Sequence, residues 1–395
     1  MAGIFDYIAW WGDLDFHASP FNPVDNIILT HLAYFPFDRI VGGPDEKKGL
    51  TIAAAAKKAA VILKRNPCAF KDVLVFRDDP ALLADLGRSR RFGGLELRGY
   101  VNQIDPEAQK QFSAVTITGC EGTALLSYRG TDNTIVGWKE DFNMSFTEVV
   151  PAQLEAVSYL EKTASRIPGP LRLGGHSKGG NLAVYAAAFC QKNIRRRIRA
   201  VYSNDAPGFN RRVLESPGYL EVKDRIHSFV PQSAIVGMLF EHGENYTVVK
   251  SNQTAFMQHD VFSWEVGRDD VVRVQEISQG GDFVNHTLRE WIDGMDGEHR
   301  RRFADALYEI LSSAETGTLR KLGDDWLKSA SLMIKGYQGI DGPTKKLIAK
   351  TVSAFFKAAR NNLNLLFPAP RQGPAPNPVS KQAPGQRRGS RAGML

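Results

Sequence analysis

The chain alternates between helical and strand-like spacing of its apolar residues. From Pro23 onward the stretch to Phe35 places Ile28, Leu32 and Phe35 on one stripe, with Pro23 and Asp25 as starting signals, and predicts a helix. Residues 50–65 are Ala-rich and helical. From about residue 70 the period shortens. Residues 73–79 (VLVFRDD), 97–102 (LRGYVN), 114–119 (AVTITG) and 123–130 (TALLSYRG) read as strands bounded by turn residues. A helix follows over 151–167, opened by Pro151, with Leu154, Val157 and Leu160 on one face. Next come a short strand, Leu171–Leu173, a Gly-rich turn, and the helical run Asn181–Phe189. Residues 199–209, 226–236 and 245–252 read as three further strand-plus-loop units, and 282–315 and 343–367 as helices. Strands alternating with helices predict an α/β fold with a mostly parallel central sheet flanked by helices, plus a C-terminal helical extension. The expected organisation is a catalytic-type α/β domain over 1–280, a helical extension over 281–367 and a disordered basic tail over 368–395.

Composition changes this picture only at the ends. The 395 residues are 43% hydrophobic and 24% charged, ordinary for a globular chain. The tail carries Arg371, Lys381, Arg387, Arg388 and Arg391 and no acid, which is five of the seven net positive charges. The body is therefore nearly neutral, and a basic nucleic-acid-binding face is not expected. Arg195–Arg197 and Arg300–Arg302 read as solvated faces. The N-terminus does not read as a secretory signal, and no apolar run is long enough to span a membrane. Three scattered cysteines, Cys68, Cys120 and Cys190, match no metal-ligand spacing and read as reduced thiols of a cytoplasmic protein. No cofactor or metal is implied.

The chemistry centres on Gly175-His176-Ser177-Lys178-Gly179. Set between a short strand and a helix, this pattern places a serine on a sharp strand-to-helix turn. Such a turn demands small neighbours, lifts the serine Oγ out of the sheet and aims the next helix's N-terminus at a reacting carbonyl. Ser177 is the expected nucleophile. The adjacent His176 projects elsewhere and is expected to pack or orient.

A strand ending in Arg129-Gly130-Thr131, followed by Trp138 and Asp141, a helix and Gly-His-Ser-x-Gly-Gly, resembles the class 3 (fungal-type) lipases. The runs FDYIAWWGDL, GGHSKGGNLAVYAA, NDAPGF and PQSAIVGML…QHDVFSW resemble more closely the Mbeg-like, lipase-related family of bacterial α/β hydrolases, over roughly residues 3–270. The resemblance implies that Thr131 supplies one oxyanion-hole donor, the second being the N–H of Lys178 after the nucleophile. Arg129 and Asp141 are expected to pair and brace this loop.

The order Ser, acid, His leaves His227, His242, His259, His286 and His299 as candidate bases. His259, after the last apolar strand, is preferred, and the resemblance implies the same residue. The acid departs from the lipase pattern, because Val230–Val236, where class 3 lipases carry it, holds no carboxylate. Asp205, at the C-terminal end of an earlier strand, is assigned the role; a Ser–His dyad oriented by Ser233 or Gln232 is the alternative. The apolar run Ile235–Phe240 is expected to line an acyl pocket, to form a lid or to be a core helix. Lys345–Phe367, with Ile348, Val352, Phe355, Phe356, Ala359, Leu363 and Leu366 on one stripe and cations elsewhere, fits packing on the body or peripheral contact with an anionic membrane. The function expected is a serine hydrolase of a carboxylic or lipid ester. A non-catalytic scaffold on the same fold and an acyltransferase using the same residues are the alternatives.

Overall fold

The computed structural model describes residues 2–70, 75–132, 134–312, 334 and 337–365. Nine strands form one sheet in sequential order: β1 (Leu50–Thr51), β2 (Glu96–Asp105), β3 (Lys110–Cys120), β4 (Thr123–Tyr128), β5 (Leu171–His176), β6 (Ile198–Asn204), β7 (Ile226–Pro231), β8 (Tyr246–Val249) and β9 (Arg273–Val274). The expectation of a mostly parallel sheet does not hold. Pairing is parallel only from β4 to β8, and the four outer pairings are antiparallel. The reason is connection length. Between β3 and β4 stand only Glu121 and Gly122, both at positive φ (50° and 67°), a two-residue hairpin that can join only antiparallel strands. Between β4 and β5 the chain runs through α5 (Ile135–Asn143) and α6 (Pro151–Arg166), long enough to cross over and return parallel.

Alternation along β4 sends Leu125 to one face and Ala124, Leu126 and Tyr128 to the other. The first face is covered by α1 (Ile4–Trp11), α2 (Pro23–His31), α3 (Ile52–Arg65) and α4 (Asp79–Arg88). The second is covered by α6, by the almost wholly buried α7 (Lys178–Phe189) and by α10 (Pro217–Val222), the last of three short helices with α8 (Lys192–Arg195) and α9 (Arg211–Leu214). The strand expected over 73–79 is absent from its described part: 75–78 form a bend and turn, and Asp79 opens α4, helped by Pro80 in its first turn. Residues 73 and 74 lie outside the described residues.

After the sheet, α11 (Gln279–Asp293) and α12 (Gly297–Ser312) pack with the C-terminal helix Gly342–Asn361. Trp291 of α11 meets Phe303 and Phe355 edge-on and donates from Nε1 to the Thr351 carbonyl at 2.9 Å. The buried Lys139 of α5 pairs with Asp305 of α12, which ties the extension to the body. The C-terminal helix buries Thr351 and Ala358 and leaves Val352 and Phe356 exposed, as is Leu363 in the 3-10 turn that follows, so much of the expected stripe does not pack inward. No helix among the described residues is long and apolar enough to cross a membrane. The tail, 368–395, lies outside the described residues.

Candidate active site

Ser177 closes β5 and caps α7 with φ 58° and ψ −137°, a conformation that L-residues other than glycine adopt only under strain. Its N–H is held by the Asn204 carbonyl at 2.9 Å. The turn needs its glycines: a Cβ on Gly175 would lie 2.3 Å from the Gly179 carbonyl carbon, and one on Gly179 would lie 2.1 Å from the Tyr128 carbonyl oxygen. Gly130 approaches the same turn, where a Cβ would come within 2.6 Å of the His176 carbonyl oxygen. The Arg-Gly-Thr loop therefore lies directly against the nucleophile turn.

Asp205 sits in the turn after β6 at φ 46°, its side chain 1% exposed. Its Oδ2 accepts from His259 Nδ1 at 2.6 Å, and its Oδ1 accepts from the Gly237 N–H at 3.0 Å. Both carboxylate oxygens are thus committed, and Nδ1 carries the ring proton, which presents Nε2 as the basic nitrogen. Gly237 belongs to the segment just past Val230–Val236, the stretch with no carboxylate. That segment supplies an N–H to Asp205 instead, and a Cβ there would strike the Asp205 carboxylate at 2.2 Å.

His176 is buried beside His259, on the wall of the cavity that Ser177 also lines. Its Nε2 donates to the His259 carbonyl at 2.7 Å, so its neutral ring accepts at Nδ1 from the Tyr34 hydroxyl at 3.1 Å. Burial, with His259 and His31 nearby, pushes its pKa well below the usual histidine range, consistent with this neutral form.

The pairing expected between Arg129 and Asp141 is not made. Arg129 binds Asp132 at 2.9 Å, three residues along its own loop. Asp141, on α5, faces the site and accepts the Thr131 hydroxyl proton. Burial above all, against the opposing pull of Lys178 and Thr131, lifts the Asp141 carboxyl to about 6. The Lys178 ammonium is also buried, within 2.9 Å of Glu140 and 2.7 Å of Gln111 Oε1. Its backbone N–H opens α7, where the first amides lack partners within the helix.

Ser177, His259, Thr131, Lys178 and Asp141 all line one cavity of about 400 Å³. The rest of its wall is mainly apolar: Trp138 and Phe142 of α5, Trp291 and Ile292 of α11, and Phe303 of α12. Val236, Leu239 and Phe240 join them, so the run 235–240, with a short 3-10 turn at Val236–Met238, lies on the pocket wall and is not a core helix. The other candidate bases stay outside: His227 stacks on Tyr202, His242 bonds Glu244, His286 bonds the Asp282 carbonyl and His299 bonds Thr351. Ser233 bonds Ser278 instead of orienting His259. Sequence reasoning missed Tyr34, the Lys178 side chain with Glu140, and the wall supplied by α11 and α12. Arg300, expected on a solvated face, lines the pocket and donates to the Ser145 carbonyl at 2.6 Å.

A family model described as Mbeg1-like matches residues 86–309, more than half of the chain. Among solved structures, M37 lipase is 16% identical, with 56% of this chain and 70% of that chain covered and a TM-score of 0.33. The native Rhizomucor miehei lipase propeptide complex is 18% identical, at a TM-score of 0.30. That match covers 39% of this chain and spans only 57% of the Rhizomucor chain. No curated protein matches the sequence. On the family match, the chain belongs to the Mbeg1-like family.

Proposed function

We propose that the protein is a serine hydrolase of carboxylic esters whose acyl part is apolar. The observation that carries this reading is the 2.6 Å bond that His259 Nδ1 donates to buried Asp205, with His259 and the strained Ser177 lining one pocket. In this reading His259 Nε2 takes the Ser177 hydroxyl proton as Oγ adds to the ester carbonyl. The N–H groups of Lys178 and Thr131 bind the oxyanion. His259 then returns the proton to the leaving alkoxide, and the C–O bond breaks to give the acyl-enzyme. Water adds next, giving a proton to His259, and the acid departs as Ser177 regains its own. Asp205 holds the ring's tautomer and favours the imidazolium formed in each half-reaction.

The aromatic and aliphatic wall suits an acyl chain, since burying it there removes apolar area from water at roughly 25 cal/mol per Å². The test is a series of p-nitrophenyl esters of increasing chain length. The reading expects kcat/KM to rise with length until the pocket is full. A rate independent of the acyl group, or no turnover of any ester, contradicts it.

A further inference from the structure

The wall that α12 supplies carries a charge that the chemistry above does not use. Arg300 lines the Ser177 cavity and also a second cavity of about 510 Å³. Its guanidinium is mostly buried and is pinned by three main-chain carbonyls. Nε donates to those of Ile292 (2.9 Å) and Met295 (3.0 Å), and Nη1 donates to that of Ser145 (2.6 Å). The first two stand at the C-terminal end of α11 and just past it, where helix carbonyls lack partners. These bonds hold the side chain in place but do not neutralise it, and a guanidinium keeps its proton. Nη2 makes no hydrogen bond among the described residues. The carboxylate it approaches, Asp293, is 4.0 Å away and 71% exposed. Capping α11 accounts for Nε; it leaves Nη2 unused.

The second cavity is polar where the first is apolar. Its charged lining is Arg211, Arg212 and Arg300 against Glu148 and Asp296, an excess of one positive charge. Glu148 is taken up by Arg212, while Arg211 lies 3.9 Å from Glu241 with both side chains exposed. Met144, Ser145, Phe240, Met295 and Arg300 line both cavities, so Arg300 stands at their boundary. Asn181 lines the second cavity and follows Ser177 by one turn of α7, about 6 Å along the axis. Its Nδ2 donates to the Pro207 and Gly208 carbonyls, which fixes the wall there. An ester held at Ser177 with its apolar acyl part in the first cavity can therefore extend its alcohol part into the second. A phosphate there meets a guanidinium already oriented by the main chain, and such a fork grips oxyanions at little further entropic cost. Resting on the hydrolase reading above, we propose that Arg300 is a specificity determinant that selects esters whose alcohol part carries a phosphate, and that the second cavity receives that group.

The test measures kcat/KM for octanoylglycerol and for octanoylglycerol phosphate, both kept below micelle-forming concentrations, with the full-length wild type and Arg300→Gln. The two esters share acyl chain and reacting bond, so their ratio isolates the phosphate. The wild type should favour the phosphate ester, and the preference should shrink as salt is raised. Arg300→Gln should lower the ratio by about 10-fold or more, whatever it does to the neutral ester. A merely structural latch would slow both esters alike, and an unchanged ratio in Arg300→Gln overturns the inference. So does a wild type that cleaves the two esters equally well, a result that stands even if the variant does not fold. A wild type inactive on these esters and on every p-nitrophenyl ester overturns the hydrolase reading and takes this inference with it, whereas an active wild type without the preference overturns this inference alone.

Discussion

His259 is fixed from two directions, its ring by Asp205 and its backbone carbonyl by His176. Each contact makes a prediction. Asp205→Asn keeps the side-chain shape but offers His259 an amide, which favours the wrong tautomer; kcat should fall by about three to four orders of magnitude with thermal stability little changed. A turn-forming role alone would leave activity near normal, since asparagine suits the same turn. His176→Gln retains an N–H near the Nε2 position and should keep most activity, whereas His176→Phe fills the space without a donor. With a positioning role, His176→Phe should lower kcat by about 10²-fold at nearly constant KM. Equal losses in both variants would make His176 a packing residue. The residue types at Ser177, Asp205 and His259 were readable because a nucleophile turn and strand-end loops have local signals. The pairing of the Lys178 ammonium with Glu140 and Asp141 was not, because it joins α5, α7 and β3 through contacts that no sequence period records.

Among the elements, the nucleophile turn was the most legible, since its glycines announce a backbone that tolerates no side chain. Gly179→Ala places a Cβ against the Tyr128 carbonyl, a backbone atom that cannot swing aside. It should cost about 3 kcal/mol or more, measured by denaturant unfolding; a cost near zero would mean that the turn relaxes freely. Strand existence was likewise legible for β2 to β8. Strand direction was not, because a tight hairpin and a crossover both look like turn residues until their lengths are weighed. The segment 73–79 failed differently: a short β-rich run cannot be told from a bend that feeds a helix when tertiary context decides.

At the scale of the whole molecule, α11 and α12 of the C-terminal extension wall the pocket that Ser177 also lines. Nothing in their periodicity distinguished a pocket wall from an appendage, since both present one apolar face. Trp291→Leu should therefore shift the preferred p-nitrophenyl ester to a longer acyl chain; an unchanged preference would place the acyl chain elsewhere. The C-terminal helix carries Lys346, Lys350 and Lys357 beside exposed Val352 and Phe356. Reversing those three charges should weaken co-sedimentation with anionic vesicles, most visibly at low salt, and leave turnover of soluble esters unchanged. The account as a whole rests on Ser177. Its most direct test is labelling of the full-length protein with a fluorophosphonate probe, followed by mapping of the modified peptide. The account predicts a stoichiometric adduct on Ser177, absent from Ser177→Ala together with ester turnover; a folded Ser177→Ala protein that still labels or hydrolyses at the wild-type rate would contradict it.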